Sequence, residues 1–265
     1  LFLTRKKIGL LAGVLAVLLA GTWIFSRPAP KGIPILEYHM VDAADHPDAR
    51  EYNVPPDDFS AQLDELQRQG YTTISLREFL RARKGLAELP EKPVVLTFDD
   101  GYDNNYTTLL PLLEARGMKA TVFMVTNDIG EPGYLTWEQL RDMQQRGIEI
   151  GSHTANHQPL TEMSPAEADD ELRLSKLIME WNGLSTIYVF SYPNGKYNSE
   201  LPVLLQKNEY LAAVTGDPGL NTFQTEPYLL QRTNIPRPRL GLWEFRLRLL
   251  KTELWTRLGI AQHLK

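Results

Sequence analysis

Between residues 35 and 231, short apolar runs alternate with amphipathic stretches that carry their own start and stop signals. That alternation narrows the folds open to the chain more than any other feature. The candidate strands are 35–38, 72–75, 94–98, 120–125, 148–150, 187–190 and 210–214, with 228–231 as a further one. The stretches between them read as helices. Ser75 with Glu78, Thr136 with Gln139, and Ser164-Pro165 with Glu167 each set an N-cap oxygen three residues before its reciprocal partner. Gly70, Gly117, Gly147 and Gly183 stand where a left-handed C-cap is wanted. Such alternation implies a parallel sheet. With no Gly-rich dinucleotide fingerprint, it points to a barrel rather than an open doubly wound sheet.

Residues 8–25 form an uncharged run, preceded by Arg5-Lys6-Lys7 and closed by Trp23 and Arg27-Pro28. This is the lower end of the length that spans a bilayer, and the basic flank predicts a cytoplasmic tail (1–7) with everything after the run exported. The alternative is a cleaved signal peptide, since Leu19-Ala20-Gly21 supplies small residues near the end of the run. On either reading the domain is extracytoplasmic, and on the first it is a single-pass protein of the cell membrane. The formal charge of −5 divides into +5 over residues 1–31 and −10 over the remainder. A body that acidic repels phosphates, so nucleic acid is excluded as a partner. The absence of cysteine excludes disulfides, thiolate zinc sites and a thiol nucleophile.

Four clusters carry chemistry. Thr97-Phe98-Asp99-Asp100-Gly101-Tyr102 closes the strand 94–98 with adjacent carboxylates, which repel unless one meets a cation. His153-Thr154-Ala155-Asn156-His157 follows the strand 148–150; in a helix its two imidazoles share a face and suit one divalent metal. Tyr38-His39 closes 35–38, and Tyr192-Pro193-Asn194-Gly195-Lys196-Tyr197 follows 187–190. Each taken singly is also a plain turn or a solvated surface. Their common position past the C-terminal ends of different strands is what joins them, because a parallel barrel brings those ends to one face. One Asp and two His with an open position make a catalytic zinc site, the spare Asp becomes a candidate base, and His39 a candidate proton donor.

These motifs resemble the polysaccharide deacetylases of carbohydrate esterase family 4, with their chitooligosaccharide deacetylase homology domain. Thr-Phe-Asp-Asp-Gly-Tyr and Ser-His-Thr-x-x-His both match in order, and the resemblance covers about residues 33–240. It implies a distorted (β/α)7 barrel that removes acetyl groups from N-acetylated sugars. Asp99 would be the base and Asp100, His153 and His157 the ligands of zinc, or of cobalt, nickel or iron. Tyr102 would lend its N–H to the oxyanion, with Tyr192 and Pro193 beside the substrate. The family's Arg-x-Pro-Tyr motif is Ser191-Tyr192-Pro193-Asn194 here, so the arginine that steadies the catalytic Asp is missing. The usual Leu-x-His acid is absent as well. Ile35-Leu36-Glu37-Tyr38-His39 instead looks like the branch acting on exported poly-β-1,6-N-acetylglucosamine, where a His near the domain start is the acid. That branch implies an exopolysaccharide synthesis or export machinery as partner.

The expected organisation is therefore a basic tail (1–7), an anchor or signal segment (8–25), a linker (26–33), a deacetylase domain (34–240) and an amphipathic helix (241–265). A peptidoglycan or chitin-type deacetylase, and a catalytically impaired carbohydrate-binding assembly protein, remain the alternatives. On the last helix, Trp243, Leu247, Leu250, Leu254 and Leu258 form a stripe with cations interspersed. This stripe suits either docking on the barrel or a membrane or partner contact.

Overall fold

The computed structural model describes residues 32–258, together with Gly13, Leu15, Gly21 and Thr22. The anchor expected over 8–25 therefore falls almost wholly outside the described residues. Among those described, no helix is long and apolar enough to cross a membrane.

The strands are β1 (Ile35–Tyr38), β2 (Thr72–Thr73), β3 (Pro93–Phe98), β4 (Thr121–Met124), β5 (Glu149–Ser152), β6 (Val189–Ser191), β7 (Ala212–Val214) and β8 (Thr233–Asn234). They form one curled sheet in the order β7-β6-β5-β4-β3-β1-β8, with β2 added on β3. Every strand pairing in it is parallel. One chain segment links the two edges: the Leu230 N–H bonds to the Ala213 carbonyl at 3.0 Å, and three residues later β8 pairs with β1. The strand expected at 228–231 is thus a single bridge, Val214 to Leu230, and the pairing strand lies just after it. The helices are α1 (Pro56–Arg68), α2 (Leu76–Arg83), α3 (Leu110–Glu114), α4 (Trp137–Gln145), α5 (Pro165–Trp181), α6 (Leu201–Lys207) and α7 (Leu242–Leu258). Capping boxes start α2, α4 and α5 at Ser75, Thr136 and Ser164. Ser75 is a cap, so β2 stops short of it. The four expected C-cap glycines all have positive φ.

The two-residue period of the strands sorts their side chains into two layers. Leu36, Leu96, Phe98, Val122, Ile150 and Phe190 face the helices and join Phe59, Leu63 and Leu110 in the larger core. Ile35, Val95, Phe123, Val189, Ala212 and Val214 fill the inside of the curl. Glu37, Asp99, His153 and Ser191 continue this inner series, so polar groups sit above an apolar plug at the C-terminal ends of the strands. Gly151 makes room for the plug, since an added Cβ would stand 2.6 Å from the Phe123 ring and 2.9 Å from Val189.

Helix α7 docks through buried Phe245 and Thr252. Arg246 donates to the buried Glu65 of α1 from Nε and Nη2, at 3.0 and 2.9 Å, while Arg68 and Gln69 hold the same carboxylate. Hydrogen bonds from Arg68 and Arg246 keep Glu65 well below the usual carboxylate range. A carboxylate depressed on folding stabilises fully above its unfolded value, about 4.3, and that contribution fades as pH falls below it. Glu65→Gln is therefore expected to lower the thermal midpoint at neutral pH, with the gap to the parent only beginning to narrow between about pH 4 and pH 3, below the unfolded value. Circular-dichroism melts at neutral pH and through that range check this.

Candidate active site

β3 is followed directly by Asp99, 2% exposed, and the chain then passes through two left-handed residues, Asp100 (φ 72°) and Gly101 (φ 77°). Asp tolerates that region through its short polar side chain. At Gly101 no side chain fits, because its Cβ would lie 1.8 Å from the Met124 sulfur.

β5 delivers His153, whose N–H donates to the Met124 carbonyl at 2.8 Å. Its Nδ1 lies 2.8 Å from the Ser191 carbonyl, which can only accept. Nδ1 therefore carries the proton and Nε2 the lone pair. Burial lowers the His153 pKa, which keeps the ring neutral. The segment to His157 is a loop with Thr154 (φ 70°) and His157 (φ 56°) left-handed, in place of the helical face the i,i+4 spacing suggested. Glu171 of α5 braces it by accepting from the N–H groups of Ala155 and Asn156 at 2.9 and 3.1 Å. Bent this way, the loop still brings the two imidazoles together, with centroids 4.8 Å apart.

Asp100 Oδ1 lies 3.5 Å from His153 Nε2 and 3.3 Å from His157 Nε2. This oxygen is buried and has no hydrogen-bond partner. A buried acceptor beside an imidazole lone pair is costly unless a cation sits among the three atoms, so the donor set fits a divalent metal.

Asp99 is held from the far end of the chain. Arg232, itself buried, lies just before β8 and donates to both carboxylate oxygens at 2.8 Å. Ser191 Oγ donates to Oδ2 at 3.0 Å. Burial works against the Asp99 charge, but the Arg232 guanidinium outweighs it by its charge and its hydrogen bonds and leaves the carboxylate well below its usual range. The arginine absent from Ser191-Tyr192-Pro193-Asn194 is thus supplied by Arg232. Parity was its one sequence signal: inward-facing Leu230 is followed two residues on by a basic side chain. The same guanidinium reaches Glu37 Oε1 at 3.1 Å, yet burial keeps the Glu37 pKa raised.

His39 is half-buried, and its ring nitrogen lies within 4.8 Å of the Asp99 and Glu37 carboxylates. Its ring rests 4.8 Å from that of Tyr52. Tyr102 stacks on Tyr134 at 5.4 Å. Their bridge uses the N–H groups of Asp103 and Leu135, so Tyr102 turns its own N–H away from Tyr134. Tyr192 stands apart: its side chain is fully buried against Phe190 and Tyr197, and Pro193 is buried beside it.

Comparison with known proteins agrees with this geometry. The family model described as polysaccharide deacetylase matches residues 87–213. The Bacillus subtilis (strain 168) protein YxkH, named as a polysaccharide deacetylase, is 34% identical over 213 residues, 80% of this chain and 74% of that protein. The poly-β-1,6-N-acetyl-D-glucosamine N-deacetylase of Escherichia coli (strain K12) is 31% identical over 147 residues, 49% of this chain and 22% of that protein. The Streptococcus pyogenes deacetylase PplD, solved with acetate, superposes with a TM-score of 0.75 at 30% identity, covering 84% of this chain and 99% of that one.

Gly101→Ala is expected to cost about 2–4 kcal/mol, from the left-handed backbone and the overpacking against Met124. Measured against Met124→Ala alone, the same change at Gly101 should cost only the backbone part. Denaturant titration of the two single variants and the double variant separates the two contributions.

Proposed function

The chain belongs to the polysaccharide deacetylase family, and we propose that it removes N-acetyl groups from poly-β-1,6-N-acetylglucosamine using a divalent cation held by Asp100, His153 and His157. The observation that carries this reading is the buried, unpartnered Asp100 oxygen between two imidazoles, set beside an arginine-held Asp99. Zinc is the first choice on donor chemistry, with cobalt, nickel and iron as alternatives. When bound, the cation supplies Lewis acidity, which polarises an amide carbonyl and acidifies water enough to give its proton to so weak a base as Asp99.

The chain's own groups do the rest. Asp99 is ionised throughout the neutral range and takes a proton from the attacking water. His39 gives a proton to the departing amine, so the products are acetate and a free amino sugar. The Tyr102 N–H, turned away from its bridge partner, is the donor to the oxyanion. With Arg232 on Asp99, the missing-arginine argument for an impaired, merely binding protein loses its force.

The β-1,6 polymer is supported by His39 at the start of the domain and by the likeness to the Escherichia coli enzyme over about half of this chain. Residues 8–25 would hold the domain outside the cytoplasm beside an export machinery.

Acetate release by the full chain, from β-1,6- and β-1,4-linked N-acetylglucosamine oligomers and from peptidoglycan, tests the proposal. Release is expected from the β-1,6 oligomer, lost on chelation and restored by zinc. His39→Ala and Asp99→Asn should each lower kcat by about 10²–10⁴. Release from another substrate alone would reassign the polymer, and silence on all with metal bound would overturn the activity. Arg232→Lys keeps the charge but loses the fork, so the Asp99 pKa rises. A base works above its pKa, so the acid limb of kcat against pH is expected to move to higher pH.

A further inference from the structure

Helix α7 carries apolar side chains on two faces, and the barrel covers one of them. Phe245 and Thr252 are buried, and Leu242 and Leu249 pack on the core. On the other side Trp243, Leu247, Leu250 and Leu258 are 67, 53, 39 and 48% exposed, and with half-buried Leu254 between the last two they follow the three- and four-residue steps that line one side of a helix. Leu240, just before the helix, is 67% exposed as well. A continuous apolar row of this kind marks a contact surface.

The charge around the row differs from that of the domain. Residues 239–258 hold Arg239, Arg246, Arg248, Lys251 and Arg257 against Glu244 and Glu253, on a body that is otherwise strongly acidic. Both acids are paired within the helix, Glu244 with Arg248 at 2.8 Å and Glu253 with Arg257 at 2.6 Å. Among the described residues Arg239 and Lys251 have no acidic partner within salt-bridge distance, and Lys251 lies over the Trp255 ring at 3.9 Å. Cations beside tryptophan at the edge of an apolar row suit an anionic lipid surface, where stems stay in the apolar layer and heads reach the phosphates.

The path of the chain selects the same partner. A groove of about 960 Å³ at the N-terminal ends of β1 and β3 is lined by Gly32, Pro34 and Pro93 on one side and by Leu249, Leu250 and Glu253 on the other. The chain thus joins the domain beside the exposed row. Residues 26–31 are all that separate Gly32 from the uncharged run 8–25, and six residues reach at most about 20 Å. We infer that the outer face of α7 rests on the anionic bilayer that takes up residues 8–25. A second copy of the chain is the poorer occupant, since two such basic faces repel. The catalytic groups lie at the opposite ends of the strands, so this docking leaves them open to a polymer. The inference rests on the anchor reading proposed above.

Because the chain has no cysteine, single thiols serve as reporters. Leu247→Cys, Leu250→Cys and a control on α6, Val203→Cys, which replaces a side chain 65% exposed, would each carry an environment-sensitive fluorophore. The full chain is reconstituted into phosphatidylglycerol-containing or pure phosphatidylcholine vesicles. The α7 probes are expected to shift to shorter wavelength and to be quenched by spin-labelled lipid in the anionic vesicles, with the control unchanged. The shift should shrink in phosphatidylcholine and at 1 M salt, where screening cuts the attraction to about 3 Å. Unshifted α7 probes on protein that floats with the vesicles would overturn the docking and leave the anchor standing. Protein that does not float would overturn both. A shift in detergent that grows with protein concentration would give the face to a second copy and overturn the proposal.

Discussion

A guanidinium with almost no access to water holds the centre of this molecule together. Arg232 is 1% exposed and forms two parallel bonds to Asp99, one contact to Glu37 and a bond from Nε to the Thr215 carbonyl at 3.0 Å. Removing one partner of such a buried pair costs about 3–5 kcal/mol, because the other charge is left without water or counter-ion. The cluster around it still contains more carboxylate than cation: Asp99, Asp100 and Glu37 face one arginine. Burial raises Glu37 and the arginine lowers Asp99, so the two carboxyl groups nearest the guanidinium are pushed in opposite directions. The imbalance centres on Asp100, and there a further positive charge is most favourable.

The strand period explains why these groups meet. Counting by two from Ile35, Val95 and Val189 leads to Glu37, Asp99 and Ser191, and from Gly151 to His153. The residues that close the barrel inside and those that carry chemistry therefore belong to one series, apolar below and polar above. Phe123 and the glycine opposite it fill the lower part. Above that plug, polar groups find partners across strands, as Thr97 does in donating to the Leu36 carbonyl at 2.7 Å.

Much of this was legible in the sequence, for physical reasons that also mark where legibility ended. The capping boxes at Ser75, Thr136 and Ser164 and the C-cap glycines are local, so short windows carry them completely. Asp99, Asp100, His153, His157 and His39 could be picked out because each follows a strand end, a position set by the fold class. Arg232 could not, because the strand after it is two residues long and its pairing depends on closure between distant segments. The bend at Thr154 and His157 was hidden for a similar reason: an i,i+4 pair reads as helical, and Glu171, which stabilises the alternative, sits on another element. Tyr192 looked like a loop aromatic beside the substrate, yet its ring is part of the packing behind β6.

Arg232 and Asp99 are 133 residues apart in the chain. When the segment up to β7 has formed, Asp99 has Ser191 beside it but no cation, and it stands in an apolar interior that disfavours its charge. Only when residues 227–234 lie along β7 and β1 does the guanidinium arrive, after the loop-closure entropy of the whole domain has been met. A chain cut short of residue 227 would therefore hold Asp99, Asp100, His153, His157 and His39 and still lack the guanidinium that holds the Asp99 carboxylate in its charged form.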